Sequence, residues 1–158
     1  MSTATAVPLE LPHELEAARA VALSTGLPYA GGVSPTVAWR LFESGQVQLV
    51  DVRTTEERKF VGHVPASSHV AWATGTALTR NPRFARELEA KVVGGKEAVV
   101  LLLCRSGKRS ALAAEVAAKA GFTRVFNVLE GFEGEIDEQR HRGTADGWRF
   151  HGLPWVQD

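Results

Sequence analysis

Short apolar runs alternate along this chain with stretches of strong helix formers. Val47–Val52 (VQLVDV) and Arg124–Val128 (RVFNV) read as strands, and Ser68–Ala71 as a short extended segment. Ala98–Leu103 (AVVLLL) is continuous, short and β-branched at Val99 and Val100, the pattern of a strand buried on both faces. Between these lie predicted helices. His13–Ser24 is halted by Gly26-Leu27-Pro28, and Thr36–Glu43 follows the capping pair Ser34-Pro35. Thr54–Phe60 is a short charged helical turn leading to a Gly62–Pro65 turn. Arg83–Val93 follows Asn81-Pro82, and Ser110–Ala120 takes Ser110 as its cap and stops at Gly121. Strands alternating with helices predict an α/β fold, a parallel sheet covered on both faces. Met1–Pro12 is small, polar and proline-punctuated, and its start is expected to be mobile.

Ligands of such sheets bind beyond the carboxyl ends of the strands. The chain's single cysteine, Cys104, stands at that end of the Ala98 strand, followed by Arg105, Ser106, Gly107, Lys108, Arg109 and Ser110. These residues must turn the chain from strand to helix, and Gly107 supplies the backbone freedom. Such a turn gathers backbone N–H groups and the positive end of a helix, and three cationic side chains add to them. A thiol in these surroundings favours its thiolate and suits a nucleophile that handles anions. Packing alone gives a buried cysteine no reason for such company.

Composition narrows the field. Lysine plus arginine equals aspartate plus glutamate, 18 each, and no basic stripe argues for nucleic acid or an anionic membrane surface. One cysteine permits no internal disulfide, which fits a reducing compartment. Neither a signal-like start nor a membrane-length apolar run is read, so the expectation is a cytoplasmic protein. The histidines show no metal-ligand spacing, and neither metal nor cofactor is expected.

The loop C-R-S-G-K-R-S resembles the active-site loop of the rhodanese family, whose members carry sulfane sulfur on a cysteine. Val50-Asp51-Val52-Arg53, Glu56-Glu57 and Gly62-His63-Val64-Pro65-Ala66-Ser67 resemble that family's D-V-R, E-E and G-H-I-P-G-A stretch. Asn127-Val128-Leu129-Glu130-Gly131, then Gly147-Trp148 and Gly152-Leu153-Pro154, resemble its closing pattern. The resemblance runs in order from Gly32 to the C-terminus. It implies a single rhodanese-like domain with a five-stranded parallel sheet and helices on both faces. The division it suggests is a helical extension at residues 1–31 and the domain at 32–158. An insertion near 132–146 departs from the family's short spacing, and it is expected to lie over or beside the Cys104 pocket and help select the acceptor.

The roles implied are a thiosulfate-type sulfurtransferase. Cys104 takes sulfur from a small anionic donor and passes it to cyanide or a thiol, with a protein acceptor as a further candidate. Arg105 and Lys108 recognise the donor, and the backbone from Arg105 to Ser110 cradles the sulfur. Arg109 either joins them or braces the loop, and Ser106 and Ser110 bond the sulfur or cap the helix. Asp51, Arg53 and Glu57 stand as candidate catalytic charges, with a buried structural pair the favoured reading of Asp51 and Arg53, and His63 reads as a pin for its turn. Trp39 and Trp72 read as core, and Trp148 and Trp155 as anchors of the closing segment. Two rivals stand beside this reading. One is a slow persulfide carrier or docking module. The other is an oxyanion phosphatase or arsenate reductase, which uses a Cys-x5-Arg loop. Here only Arg105, Ser106, Gly107 and Lys108 separate Cys104 from Arg109, one residue fewer.

Overall fold

The computed structural model describes residues 10–157. The expectation of mobility at the start of the chain concerns residues 1–9 and lies outside the described residues. Five parallel strands form the main sheet: β1 (Gly31–Val33), β2 (Gln48–Asp51), β3 (Ser68–His69), β6 (Val100–Leu103) and β7 (Val125–Val128), in the order β1-β7-β6-β2-β3. The helices are α1 (His13–Thr25), α2 (Pro35–Glu43), α3 (Thr55–Phe60), α4 (Phe84–Lys91) and α5 (Lys108–Lys119). The α/β architecture with five parallel strands is the one expected.

The side-chain alternation of β6 and its neighbours divides the core in two. Val50, Val100, Leu102 and Val125 face α4 and α5 and pack against Phe84, Leu88, Ala113, Ala114 and Ala117. Leu49, Leu101, Leu103, Phe126 and Val128 face the other way, onto Leu15 of α1, Ala38 and Leu41 of α2, and Phe132 and Trp148 near the C-terminus. All four residues of β6 are buried because both faces are covered, which is why the run carries no polar alternation. Truncating Leu101 or Leu102 to alanine would cost about 2–5 kcal/mol.

The helix starts follow local chemistry. Ser34 Oγ accepts the Val37 N–H with Pro35 at the first helical position. Thr54 and Glu57 form a reciprocal capping box at α3. At α5 the sequence-based expectation fails: the helix opens at Lys108, two residues before Ser110, and Gly107 occupies the cap with φ +97° and no capping side chain. Glycine takes that left-handed conformation without a Cβ clash, so the chain turns into the helix earlier and Ser110 falls inside its first turn.

Two further elements were not read from the sequence. β1 is a three-residue edge strand containing two glycines, one of which admits close approach: a Cβ on Gly31 would lie 2.7 Å from the Ala18 carbonyl oxygen of α1. An antiparallel hairpin, β4 (Ala73–Thr74) with β5 (Thr79–Arg80), leaves the loop Gly75–Leu78 beside the end of β6. No helix among the described residues is long and apolar enough to cross a membrane.

Candidate active site

Cys104 follows the last residue of β6, and α5 begins four positions later. The intervening loop is held from outside by its carbonyls. Cys104 O accepts the Phe132 N–H at 2.8 Å, and Arg105 O accepts the N–H groups of Glu133 and Gly134 at 2.9 and 3.1 Å. Gly131 makes this approach possible, since a Cβ there would meet the Arg105 carbonyl carbon at 2.4 Å. With these carbonyls tied outward, the loop wraps its interior around the sulfur. The Gly107 N–H donates to Cys104 Sγ at 3.1 Å, and Ser110 Oγ lies 3.2 Å from it. Ser110 therefore serves the sulfur rather than the helix cap.

Cys104 is 1% exposed, so the sulfur is enclosed by its loop. Beside it opens a pocket of about 290 Å³ lined by Thr54, Glu57, Leu78, Arg105 and Arg109. The three cations of the loop differ sharply. Arg109 turns back into the fold and binds Glu57 with two hydrogen bonds, Nη1–Oε1 at 2.8 Å and Nη2–Oε2 at 2.7 Å. Burial works to raise the Glu57 carboxyl, but the Arg109 guanidinium and the Thr54 N–H and hydroxyl outweigh it and hold the group at about 2. Arg109 is raised in turn, chiefly by those bonds. Arg105 and Lys108 are exposed, and no ion pair joins either to a carboxylate among the described residues.

The other charged residues singled out in the sequence gather one strand away. Asp51 and Arg53 are fully buried and paired at 2.8 Å, and Arg53 also donates to Gly62 O at 2.7 Å and lies 4.3 Å over the Phe132 ring. Arg58 adds a second contact to Asp51 at 3.2 Å. His63 bridges its backbone to Val156, joining the turn to the chain's end, while its ring sits at a long 3.4 Å from Arg58 O. Trp72 is buried edge-on to Phe84, and Trp39 edge-on to Trp148, whose Nε1 donates to Pro154 O. Trp155 closes over Gly62.

Sequence reasoning missed Asn127 as a member of the site. It stands on β7, 3% exposed, with Oδ1 2.5 Å from Ser110 Oγ and Nδ2 donating to Gly107 O at 3.1 Å. A polar residue in an otherwise apolar strand, one of the resembling motif's members, was the available signal. The segment after Gly131 folds against the Cys104–Arg105 backbone through residues 132–134. Beyond it, Asp146 Oδ1 accepts the Glu135 N–H and Arg142 donates to Gly134 O.

A buried cysteine held between a parallel strand and a helix, beneath two exposed cations, is the central feature of this α/β domain. The family profile of the rhodanese-like domain matches residues 34–136, and the chain belongs to that family. Among solved structures it is similar to Rv0390 from M. tuberculosis, with 43% identity and a TM-score of 0.72 over 82% of this chain and 99% of that one. It is 30% identical over 122 residues to the thiosulfate sulfurtransferase GlpE of Actinobacillus pleuropneumoniae, covering 77% of this chain and 89% of that protein. An uncharacterized protein of Rickettsia prowazekii, RP600, is 34% identical over 107 residues, 68% of this chain and 80% of its own.

Proposed function

We propose that this chain is a sulfurtransferase that carries sulfane sulfur on Cys104, from a small anionic donor of the thiosulfate type to a thiophilic acceptor. The observation that carries this reading is the sulfur itself: Cys104 Sγ sits at the opening of α5 and receives the Gly107 N–H. Sequence similarity to GlpE supports it. In the first half-reaction the Cys104 thiolate attacks the outer sulfur of thiosulfate. A sulfur–sulfur bond forms at Cys104, the donor's own sulfur–sulfur bond breaks, and its electron pair leaves on sulfite. In the second, cyanide or a thiolate takes the terminal sulfur and the bonding pair returns to Cys104.

Arg105 and Lys108 meet the donor, because they are the loop cations that carry no carboxylate partner among the described residues. Arg109 braces the loop through Glu57. Backbone N–H groups of Arg105, Ser106 and Gly107 support the developing charge. The segment from Glu135 to Ala145 selects among acceptors. Deleting it should alter the ranking of several thiols as acceptors, and an unchanged ranking in a folded deletion counts against that role.

A persulfide carrier for a partner protein is the second reading, favoured by the burial of Cys104 and the lack of any other cysteine to resolve the persulfide. Steady-state kinetics with thiosulfate and cyanide separate the two. Parallel double-reciprocal lines, lost in Cys104→Ser, support the enzyme. Negligible turnover with fast transfer to one protein acceptor supports the carrier.

A further inference from the structure

We propose that Asn127 is a positioning residue that sets the thiol–thiolate balance of Cys104 through the single hydroxyl proton of Ser110; as a mechanism for sulfur transfer, this rests on the function proposed above. The orientation of the Asn127 amide is fixed by its partners. Gly107 O can only accept, so the amide nitrogen faces it at 3.1 Å and the amide oxygen faces Ser110 Oγ at 2.5 Å. That oxygen has no proton to give. Ser110 Oγ therefore lies between two atoms that both draw on its one proton: Asn127 Oδ1, and Cys104 Sγ at 3.2 Å. A hydroxyl donates to one of them at a time.

The outcome depends on the state of the sulfur. While Cys104 is a thiol, the chain of donors runs one way: the S–H gives to Ser110 Oγ, and the Ser110 hydroxyl gives to Asn127 Oδ1. When the thiol proton leaves to water, Sγ can only accept. The Ser110 hydrogen then rotates to the sulfur. Ser110 Oγ and Asn127 Oδ1 are left facing each other at a short distance with no proton between them, an arrangement that resists the change. The three side chains lie away from bulk solvent, with Ser110 0%, Cys104 1% and Asn127 3% exposed, so the contact is felt at low dielectric. Asn127 thus competes with the sulfur for the Ser110 proton, while its other end ties Gly107, the backbone donor to Sγ, into place.

Other charges also face this sulfur. Arg105, Lys108 and Arg109 stand on its own loop and α5, and Glu57 of α3 reaches it through Arg109. Asp51 at the end of β2 lies within the influence of Arg109, and Glu130 follows β7 beside Gly107. Substitutions at Asn127 and Ser110 leave all of these unchanged.

Because the chain has one cysteine, its thiolate absorbance in the ultraviolet can be followed against pH, with Cys104→Ser as the blank. Asn127→Leu, which removes the competing acceptor, should raise the thiolate-to-thiol ratio at a given pH about tenfold. Asn127→Asp, which strengthens that acceptor, should lower it. Ser110→Ala should lower it about tenfold and erase the gain of Asn127→Leu in the double variant, whereas Ser110→Thr keeps the hydroxyl and stays near the parent. A purely structural Asn127 would give no gain in Asn127→Leu, and that result overturns the proposal. So does an Asn127→Leu gain that survives Ser110→Ala. If Asn127→Leu does not fold, as judged by circular dichroism, Ser110→Ala and Asn127→Asp decide: unchanged ratios in both overturn it. The titration uses no sulfur donor. Absence of sulfur loading with the expected titration refutes the sulfurtransferase alone, and loading with an unaltered titration refutes the role of Asn127 alone.

Discussion

β2 and β6 are hydrogen-bonded neighbours and run parallel, and charged residues stand at the end of β2 and just beyond the end of β6, yet the two ends are arranged differently. At the end of β2, Asp51 and Arg53 pair in the core, Gly62 O and Arg58 add further bonds, and Arg53 Nη1 is left without a hydrogen-bond partner among the described residues. At the end of β6, Arg109 is neutralised by Glu57, while Arg105 and Lys108 stay in solvent around an enclosed sulfur. Charge that finds its partner within the fold holds the chain together. Charge without a partner at the mouth of a strand is left facing solvent, and Cys104 sits at the end that keeps it.

The contrast is broken most completely by removing the sulfur. Cys104→Ser should abolish transfer entirely while changing stability by less than about 2 kcal/mol, measured by thiocyanate formation alongside denaturant unfolding. Arg53→Met tests the other end. It leaves Asp51 buried without its main partner and should cost about 3–5 kcal/mol in denaturant unfolding, with turnover per folded molecule retained. A stable Arg53→Met protein with lost turnover would move the β2 end into the chemistry.

These two ends also show what the sequence discloses. The Ala98–Leu103 run gave away β6 because a strand covered on both faces has no polar positions to hide among, and Cys104 was conspicuous for its cationic neighbours. The Asp51–Arg53 pair could be suspected from two opposite charges inside apolar surroundings. Less legible were relations made by distant parts of the chain. Ser110 looked like a cap because its position relative to the helix depended on the left-handed Gly107, which shifts the helix start by two residues. Asn127 entered the site through the pairing of β7 with β6: its polarity inside an apolar strand marked it, but not the loop it would face. β1, with two glycines in three residues, has almost no strand propensity of its own and forms because β7 and α1 flank it.

Smaller effects sharpen the comparison within the loop. Arg105→Ala should lower kcat/KM for thiosulfate about tenfold, mostly through KM, while the reaction of a preloaded persulfide with cyanide changes little. Equal losses in both half-reactions would assign Arg105 to the sulfur rather than to the donor. Glu57 gives a pH-dependent contrast. Its folded value of about 2 lies below the ordinary 4.5, so its stabilising contribution is complete above 4.5 and is lost as pH falls toward 2. Glu57→Gln should therefore be less stable by about 1–2 kcal/mol at neutral pH, and the gap should close on acidification through that range. A gap independent of pH would mean that the Arg109–Glu57 brace owes nothing to charge.

The most direct measurement is the intact mass of the purified protein before thiosulfate, after thiosulfate, and after a following excess of cyanide. A sulfurtransferase acting through Cys104 gains the mass of one sulfur, loses it to cyanide, and shows neither change in Cys104→Ser. A protein whose mass is unaltered by thiosulfate and by other sulfane sulfur donors, or whose added sulfur persists in Cys104→Ser, would contradict sulfur transfer through this cysteine.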